Sequence, residues 1–170
     1  MWRVADLING IDSAVIVYGQ TGSGKTYTLF GDNSSGEFTG VHSGLVPRCC
    51  DLLLAAVVER EKALGIQSAI TMSYVEIYGN DITDLLRGGT RLGQSRVAAN
   101  RYVLDGAADV QIPTSLEGGR QAMQRLLAMG EEMKRRASTS MNERSSRAHA
   151  IMTLTLVQTD PATGYNVRNR

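Results

Sequence analysis

The spacing of apolar and polar residues along the chain predicts an ordered series of helices and strands. Apolar residues that recur at helical spacing predict helices over about residues 4–8, 24–29, 45–64 and 114–136. Runs rich in β-branched and aromatic residues predict strands over residues 13–18, 68–78 and 150–157, with one or two short strands within 102–112. Strands and helices that alternate in this way are typical of an α/β fold, a sheet with helices on both faces.

Three connecting segments complete the pattern. Residues 81–86 are predicted to form a short helix, and the Gly-, Arg- and Ser-rich stretch 87–100 is predicted to be a loop. After the last apolar run, Asp160-Pro161 begins a turn into a further strand. A carboxylate after a buried strand could also bind magnesium, but the run alternates like a half-buried strand. We therefore expect a hairpin at Asp160 rather than a metal ligand.

Composition and charge narrow the class of protein only slightly. With 42% hydrophobic and 21% charged residues and a net charge of +1, the chain is predicted to be a globular domain. It contains neither a long apolar stretch nor a signal-peptide pattern, which predicts no membrane partner. The only cysteines, Cys49 and Cys50, are adjacent on a predicted helix, so we expect packing residues in a reducing, intracellular setting.

The chemistry is concentrated in a glycine-rich loop that directly follows the predicted strand 13–18. Its sequence is Gly19, Gln20, Thr21, Gly22, Ser23, Gly24, Lys25 and Thr26, a G-x-x-x-x-G-K-T pattern. Glycines let the backbone wrap closely around an anion, and the following helix adds the positive charge of its first turn. Lys25 suits the outer phosphates and Thr26 suits magnesium. The alternative is a flexible turn, but strand, loop and helix in this order favour a nucleotide site.

A second polar constellation precedes the predicted strand 150–157. It consists of Asn142, Glu143, Arg144, Ser145, Ser146, Arg147, Ala148 and His149. By itself this segment could equally be an ordinary solvated connection. Because the same chain has a phosphate loop, the two adjacent hydroxyls could also belong to a site of phosphoryl transfer. Such a site must bind magnesium and position the attacking water. Segments of this kind are commonly ordered by a terminal phosphate.

These two motifs resemble those of the kinesin motor domain, whose first switch reads N-x-x-S-S-R-S-H. Three further phrases resemble the family's G-[IL]-[IV]-P-R, S-[YF]-x-E-I-Y…D-L-L and T-x-M-N signatures, at residues 44–48, 73–86 and 139–142. The resemblance implies a three-layer α/β/α fold of the P-loop NTPase type. It also implies ATP and Mg²⁺ as ligands and microtubules as partner. No N-K-x-D guanine motif occurs in the chain, which independently favours adenine.

The resemblance also implies roles for individual residues. Residues 19–26 would hold the triphosphate, with Tyr27 beside the adenine and Thr26 and Ser146 on magnesium. Ser145 and Ser146 would contact the γ-phosphate and the attacking water, and Arg147 would pair with a glutamate of the second switch. Asn142 would have a supporting role. For His149, support of the switch and simple packing at a strand edge stay open.

Departures from the family pattern lead to a further expectation. Ala148 stands where the family has serine, and neither a D-L-A-G-S-E second switch nor an R-x-R-P phrase occurs in the 170 residues. We therefore expect residues 1–170 to be the central part of an incomplete motor domain, with little turnover by themselves. The strand 13–18 should then have an exposed apolar edge.

Three functions are compatible with these features. The first is a microtubule-stimulated ATPase motor of the cytoplasm and cytoskeleton, dimeric through a stalk outside these residues and without a nucleic-acid partner. The second is a non-catalytic, kinesin-like nucleotide- or microtubule-binding module. An unrelated phosphate-loop kinase or GTPase is the third and is disfavoured by the paired motifs.

Overall fold

The structure, a computed structural model, describes residues 2–32, 43–93, 96–98, 101–103, 106–139 and 147–170. Its helices are α1 (Trp2–Ile8), α2 (Lys25–Phe30), α3 (Leu45–Leu64) and α4 (Leu116–Thr139), with a 3₁₀ turn at Leu85–Arg87. The strands are β1 (Gln67–Tyr78), β2 (Asp81–Asp84), β3 (Thr90–Leu92), β4 (Arg96–Ala98), β5 (Arg101–Val103), β6 (Val110–Ile112), β7 (His149–Thr159) and β8 (Asn166–Asn169). The helices predicted over residues 4–8, 24–29, 45–64 and 114–136 and the strands predicted over residues 68–78 and 150–157 are thus confirmed.

Six of the strands form one sheet. Its hydrogen-bonded order is β3-β2-β1-β7-β8, with β6 paired to β1, while β4 and β5 form a separate antiparallel pair. β1 and β2 pair in an antiparallel hairpin with Ile77 opposite Ile82. β7 and β8 pair in a second hairpin with Val157 opposite Arg168.

The turn between β7 and β8 confirms the predicted hairpin at Asp160. Its Oδ1 accepts a hydrogen bond from the amide of Ala162 at 2.9 Å, and its Oδ2 accepts one from the hydroxyl of Thr163 at 2.8 Å. The Thr163 hydroxyl and then the Ala162 amide lower the pKa of the Asp160 carboxyl. Asp160 therefore acts as a turn residue of the kind that Asx motifs use.

The chain divides into two compact units. The first comprises Met1–Thr71, Gln111–Arg125 and Leu154–Arg170. Its core includes Leu53, Leu54, Val57, Ile112, Met123 and Leu156. The second comprises Met72–Val110 and Leu126–Thr153, and its core includes Met72, Val75, Leu85 and Leu127.

A buried polar cluster holds α4 against β1 inside the second unit. The hydroxyl of Tyr74, a residue that is 1% exposed, donates to Glu131 Oε1 at 2.5 Å. The Lys134 ammonium donates to the same carboxylate oxygen at 2.7 Å and lies 5.7 Å from the centre of the Tyr74 ring. Burial, and then the Glu131 carboxylate, raise the pKa of Tyr74 far above its usual range. The phenol therefore remains protonated and keeps donating.

Helix α3 has its predicted bounds. Its buried residues are Pro47, Cys50, Leu53, Leu54 and Val57. Two other apolar residues of this helix, Leu45 and Leu52, are 44% and 36% exposed. Consecutive apolar residues fit more than one helical face, and the face that contains Leu53 and Val57 is the buried one.

The two cysteines of α3 differ in their surroundings. Cys50 is buried, and this burial raises the pKa of its thiol to about 12. Cys49 is half-buried, and its partial burial also raises the pKa of its thiol. Both thiols are free. A protonated, buried thiol is unreactive, so the packing role predicted for this pair is confirmed for Cys50.

The prediction of a helix over residues 81–86 was wrong. A two-residue turn at Gly79 and Asn80 folds the chain back, so Asp81–Asp84 pairs with β1 as strand β2. Gly79 has φ 58°, a left-handed conformation that favours glycine. The predicted loop 87–100 likewise contains the short strands β3 and β4. Here the pairing of residues 81–84 with the long strand β1 outweighs the local helical pattern of the sequence.

Candidate nucleotide-binding site

The segment that precedes the glycine-rich loop is not a strand. Residues 11–19 have no regular structure, so the predicted strand 13–18 was wrong as a hydrogen-bonded element. Ile16 is 81% exposed and Tyr18 is 90% exposed. A strand requires hydrogen bonds to a neighbouring strand as well as strand propensity. In the described part of the chain, residues 14–18 form no such bonds. Apolar side chains of this segment are thus exposed, but on an irregular segment and not at the edge of a strand.

The loop itself, residues 19–26, curls around its own lysine. The Lys25 ammonium donates hydrogen bonds to the carbonyl oxygens of Gly19 and Gln20, both at 2.7 Å. The amide of Ser23 donates to the same Gln20 carbonyl at 3.2 Å. Gly24 has φ 84°, a left-handed conformation that non-glycine residues rarely adopt. The geometry holds a positive charge at the centre of a turn of backbone.

The start of α2 lies at the end of this loop. Gly24 is its N-cap residue and contributes no side-chain hydrogen bond, so the first-turn N–H groups lack a capping side chain. Thr26 and Tyr27 lie in that first turn, and Tyr27 is 59% exposed. Backbone N–H groups, an ammonium, a hydroxyl and an accessible ring make a donor set that fits a nucleoside polyphosphate.

A contact that the sequence did not predict supports the end of α2. A β-carbon at Gly44 would lie 2.5 Å from the amide nitrogen of Gly31, so only glycine fits at this position. Gly31 also forms a β-bridge with Ser43, whose carbonyl accepts a hydrogen bond from Arg48 Nε at 2.9 Å. The Gly44 and Arg48 positions of the G-L-V-P-R phrase therefore fasten α3 to the end of the loop-borne helix.

The proposed first-switch residues are only partly described. Asn142, Ser145 and Ser146 lie outside the described residues, so their predicted roles stay predictions. Arg147 is exposed. His149 is the first residue of β7 and is also exposed, so the packed-imidazole interpretation was wrong.

Two kinds of feature are absent from the described residues. No three or more His, Cys, Asp and Glu side chains cluster there in a way that could hold a metal ion. None of the described helices combines the length and the apolar character that crossing a membrane requires.

Comparison with known proteins gives concordant results. The Kinesin motor domain profile matches residues 3–169. The chain is 37% identical to Kinesin-like protein KIF15-B of Xenopus laevis over 155 residues, which is 90% of this chain and 11% of that protein. It is 33% identical to human Kinesin-like protein KIF27 over 158 residues, or 91% of this chain and 11% of that protein.

The fold agrees with a solved kinesin. The structure of a fast kinesin superposes with a TM-score of 0.84 at 28% identity and covers 98% of this chain and 44% of that one. The predicted α/β kinesin fold is therefore confirmed. The chain spans about a ninth of the length of the curated relatives that it matches. By profile, sequence and fold, the chain belongs to the kinesin motor domain family.

Proposed function

We propose that the protein to which this chain belongs is a microtubule motor driven by ATP, and that residues 19–26 bind the nucleotide. The observation that carries this proposal is the loop geometry, in which the Lys25 ammonium donates to the Gly19 and Gln20 carbonyls at 2.7 Å. An ammonium already placed inside a turn of backbone needs only to exchange carbonyl oxygens for phosphate oxygens. That exchange is favourable because charged acceptors form stronger hydrogen bonds than neutral ones.

The other loop groups complete the proposed nucleotide site. The uncapped N–H groups at the start of α2 would contact the phosphates beside Lys25. The hydroxyl of Thr26, with that of Ser146, would ligate magnesium, which when bound neutralises phosphate charge. The exposed ring of Tyr27 offers a stacking surface for adenine.

The proposed motor cycle depends on the first switch. ATP binding would order Ser145 and Ser146 around the γ-phosphate, and hydrolysis would release them. Arg147 would close the site by pairing with a glutamate of the second switch, and Asn142 would have a supporting role. The two states would differ in affinity for the microtubule, so that the nucleotide shifts the population of bound motors. The kinesin family is associated with the cytoskeleton, which supports a cytoplasmic location. A dimer formed through a stalk outside residues 1–170 belongs to the same proposal.

This proposal predicts microtubule-dependent turnover by the full-length gene product. ATP hydrolysis, measured as phosphate release with and without polymerised tubulin, should be severalfold faster with microtubules, because the lattice favours one of the two switch states. A full-length protein that sediments with microtubules but releases phosphate at the same rate without them would contradict the motor proposal. That result would instead support a non-catalytic binding module.

A further inference from the structure

The two elements that flank the first-switch motif are both held by strand β1. Residues 140–148 connect Thr139, the last residue of α4, to His149, the first residue of β7. β7 is the neighbour of β1 in the sheet. Helix α4 is fastened to the same strand through the side chain of Tyr74. Strand β1 is therefore the common support of both ends of this connection.

The attachment of α4 to β1 is centred on one phenol. The Tyr74 hydroxyl donates to Glu131 Oε1 at 2.5 Å and accepts a hydrogen bond from the Lys134 ammonium at 3.2 Å. Because Tyr74 is 1% exposed and Glu131 is 5% exposed, water competes little for these bonds. Lys134 lies about 7.5 Å along the helix axis from Thr139, where α4 ends. The phenol thus holds the helix close to the point where the connection begins.

We propose that Tyr74 is a positioning residue for the first switch, acting through Glu131 and helix α4. Because Tyr74 is buried, it does not itself contact the nucleotide. By fixing the end of α4 on β1, its hydroxyl reduces the conformational freedom that Ser145 and Ser146 lose when ATP orders them. The inference rests on the proposed role of the first switch in ATP hydrolysis.

One conservative substitution removes this attachment and leaves its surroundings in place. Tyr74→Phe deletes the hydroxyl but keeps the ring that packs against Gly130, so the variant should fold. The Lys134 ammonium keeps its 2.7 Å bond to Glu131 Oε1, so neither buried charge loses its partner. The substitution therefore separates the hydrogen bonds between α4 and β1 from the packing and the ion pair beside them.

The test uses the full-length gene product and measures a single turnover of magnesium ATP by rapid quench, together with the dissociation constant of magnesium ADP. Tyr74→Phe should hydrolyse bound ATP about fivefold more slowly, an effect typical of a residue that modulates a site without contacting its ligand. ADP affinity should be unchanged, because ADP lacks the γ-phosphate that orders the switch. A merely structural role would lower the amplitude of the turnover, which counts folded molecules, and leave its rate constant unchanged.

Two further variants control for stability and for the identity of the bond. Ile112→Val, at a residue of β6 that is 1% exposed, should cost about as much stability as one lost hydrogen bond and leave the rate constant unchanged. Glu131→Ala removes the same bond from the side of the helix and should also slow hydrolysis. Combined with Tyr74→Phe, it should slow hydrolysis by less than the product of the two single effects.

The outcomes separate failure of this inference from failure of the proposed function. A wild-type protein that does not hydrolyse ATP in the single-turnover assay overturns the proposed function and, with it, this inference. A wild-type protein that hydrolyses ATP, with Tyr74→Phe at the same rate constant, overturns the positioning role alone. Equal slowing by Tyr74→Phe and Ile112→Val would do the same, because the effect would then follow stability. So would a loss of ADP affinity as large as the loss of rate.

Discussion

Lys25→Ala should abolish measurable binding of magnesium ATP to the chain. Lys25 is the only charged residue in the loop 19–26, and its ammonium makes both 2.7 Å bonds that organise the Gly19 and Gln20 carbonyls. In the nucleotide complex those bonds would go to phosphate oxygens. Two charge-assisted hydrogen bonds at about 1.5–3 kcal/mol each correspond to a loss of affinity of about a hundredfold or more. Isothermal titration calorimetry on wild type and variant measures this directly.

Two matched variants test whether the loss of ATP affinity is caused by removal of the Lys25 ammonium. Lys62→Ala removes an exposed lysine of α3 that pairs with Glu59 at 3.4 Å, and should bind as the wild type does. Lys25→Arg keeps the charge but replaces the compact ammonium, so its ATP affinity should lie between those of the wild type and Lys25→Ala. If Lys25→Ala bound ATP within about twofold of the wild type, well under the effect of one lost charged hydrogen bond, the loop would not be the phosphate site.

Gly130→Ala should strongly destabilise the fold. A β-carbon at Gly130 would lie 2.5 Å from Cε1 of Tyr74 and nearer still to Cδ1. The ring cannot retreat, because Tyr74 is 1% exposed and its hydroxyl is held by Glu131 at 2.5 Å. Overpacking and loss of this buried hydrogen bond together should cost about 3 kcal/mol. The free energy of unfolding from urea titration, followed by circular dichroism, gives the value.

A glycine in the same helix provides the control for Gly130. A β-carbon at Gly118 would lie 2.7 Å from Ser115 Oγ, the end of a side chain that can rotate away. Gly118→Ala should therefore be neutral or stabilising, since alanine favours helix by about 1 kcal/mol over glycine. Equal stability of the Gly118→Ala and Gly130→Ala variants would contradict the close approach of α4 to Tyr74.

The elements that could be predicted from the sequence are those whose pattern is long or locally closed. Helix α3 has its predicted bounds, and its C-terminus is marked by Gly65, at φ 69°. The hairpin at Asp160 was predictable because its turn is stabilised by hydrogen bonds within four residues. Residues 13–18 were not predictable in the same way. Their propensity is that of a strand, but a strand also requires a partner, and propensity does not reveal whether one is present.

In the candidate site, too, features formed by neighbouring residues could be predicted, and contacts between distant residues could not. The loop motif predicts Lys25 and the glycines together, because the residues of the motif are contiguous in sequence. The support at Gly44 could not be predicted, since it joins residues that are distant along the chain. Single-sequence patterns carry no record of such contacts.

The most direct test of the proposed nucleotide site is a titration of the ¹⁵N-labelled chain with magnesium ATP, followed by amide chemical shifts. If residues 19–26 surround the phosphates, the largest shifts fall on the amides of Gly22, Gly24 and Lys25, and they disappear in Lys25→Ala. Shifts confined to amides outside this loop and α2, or no shifts at saturating nucleotide, would contradict the proposed site.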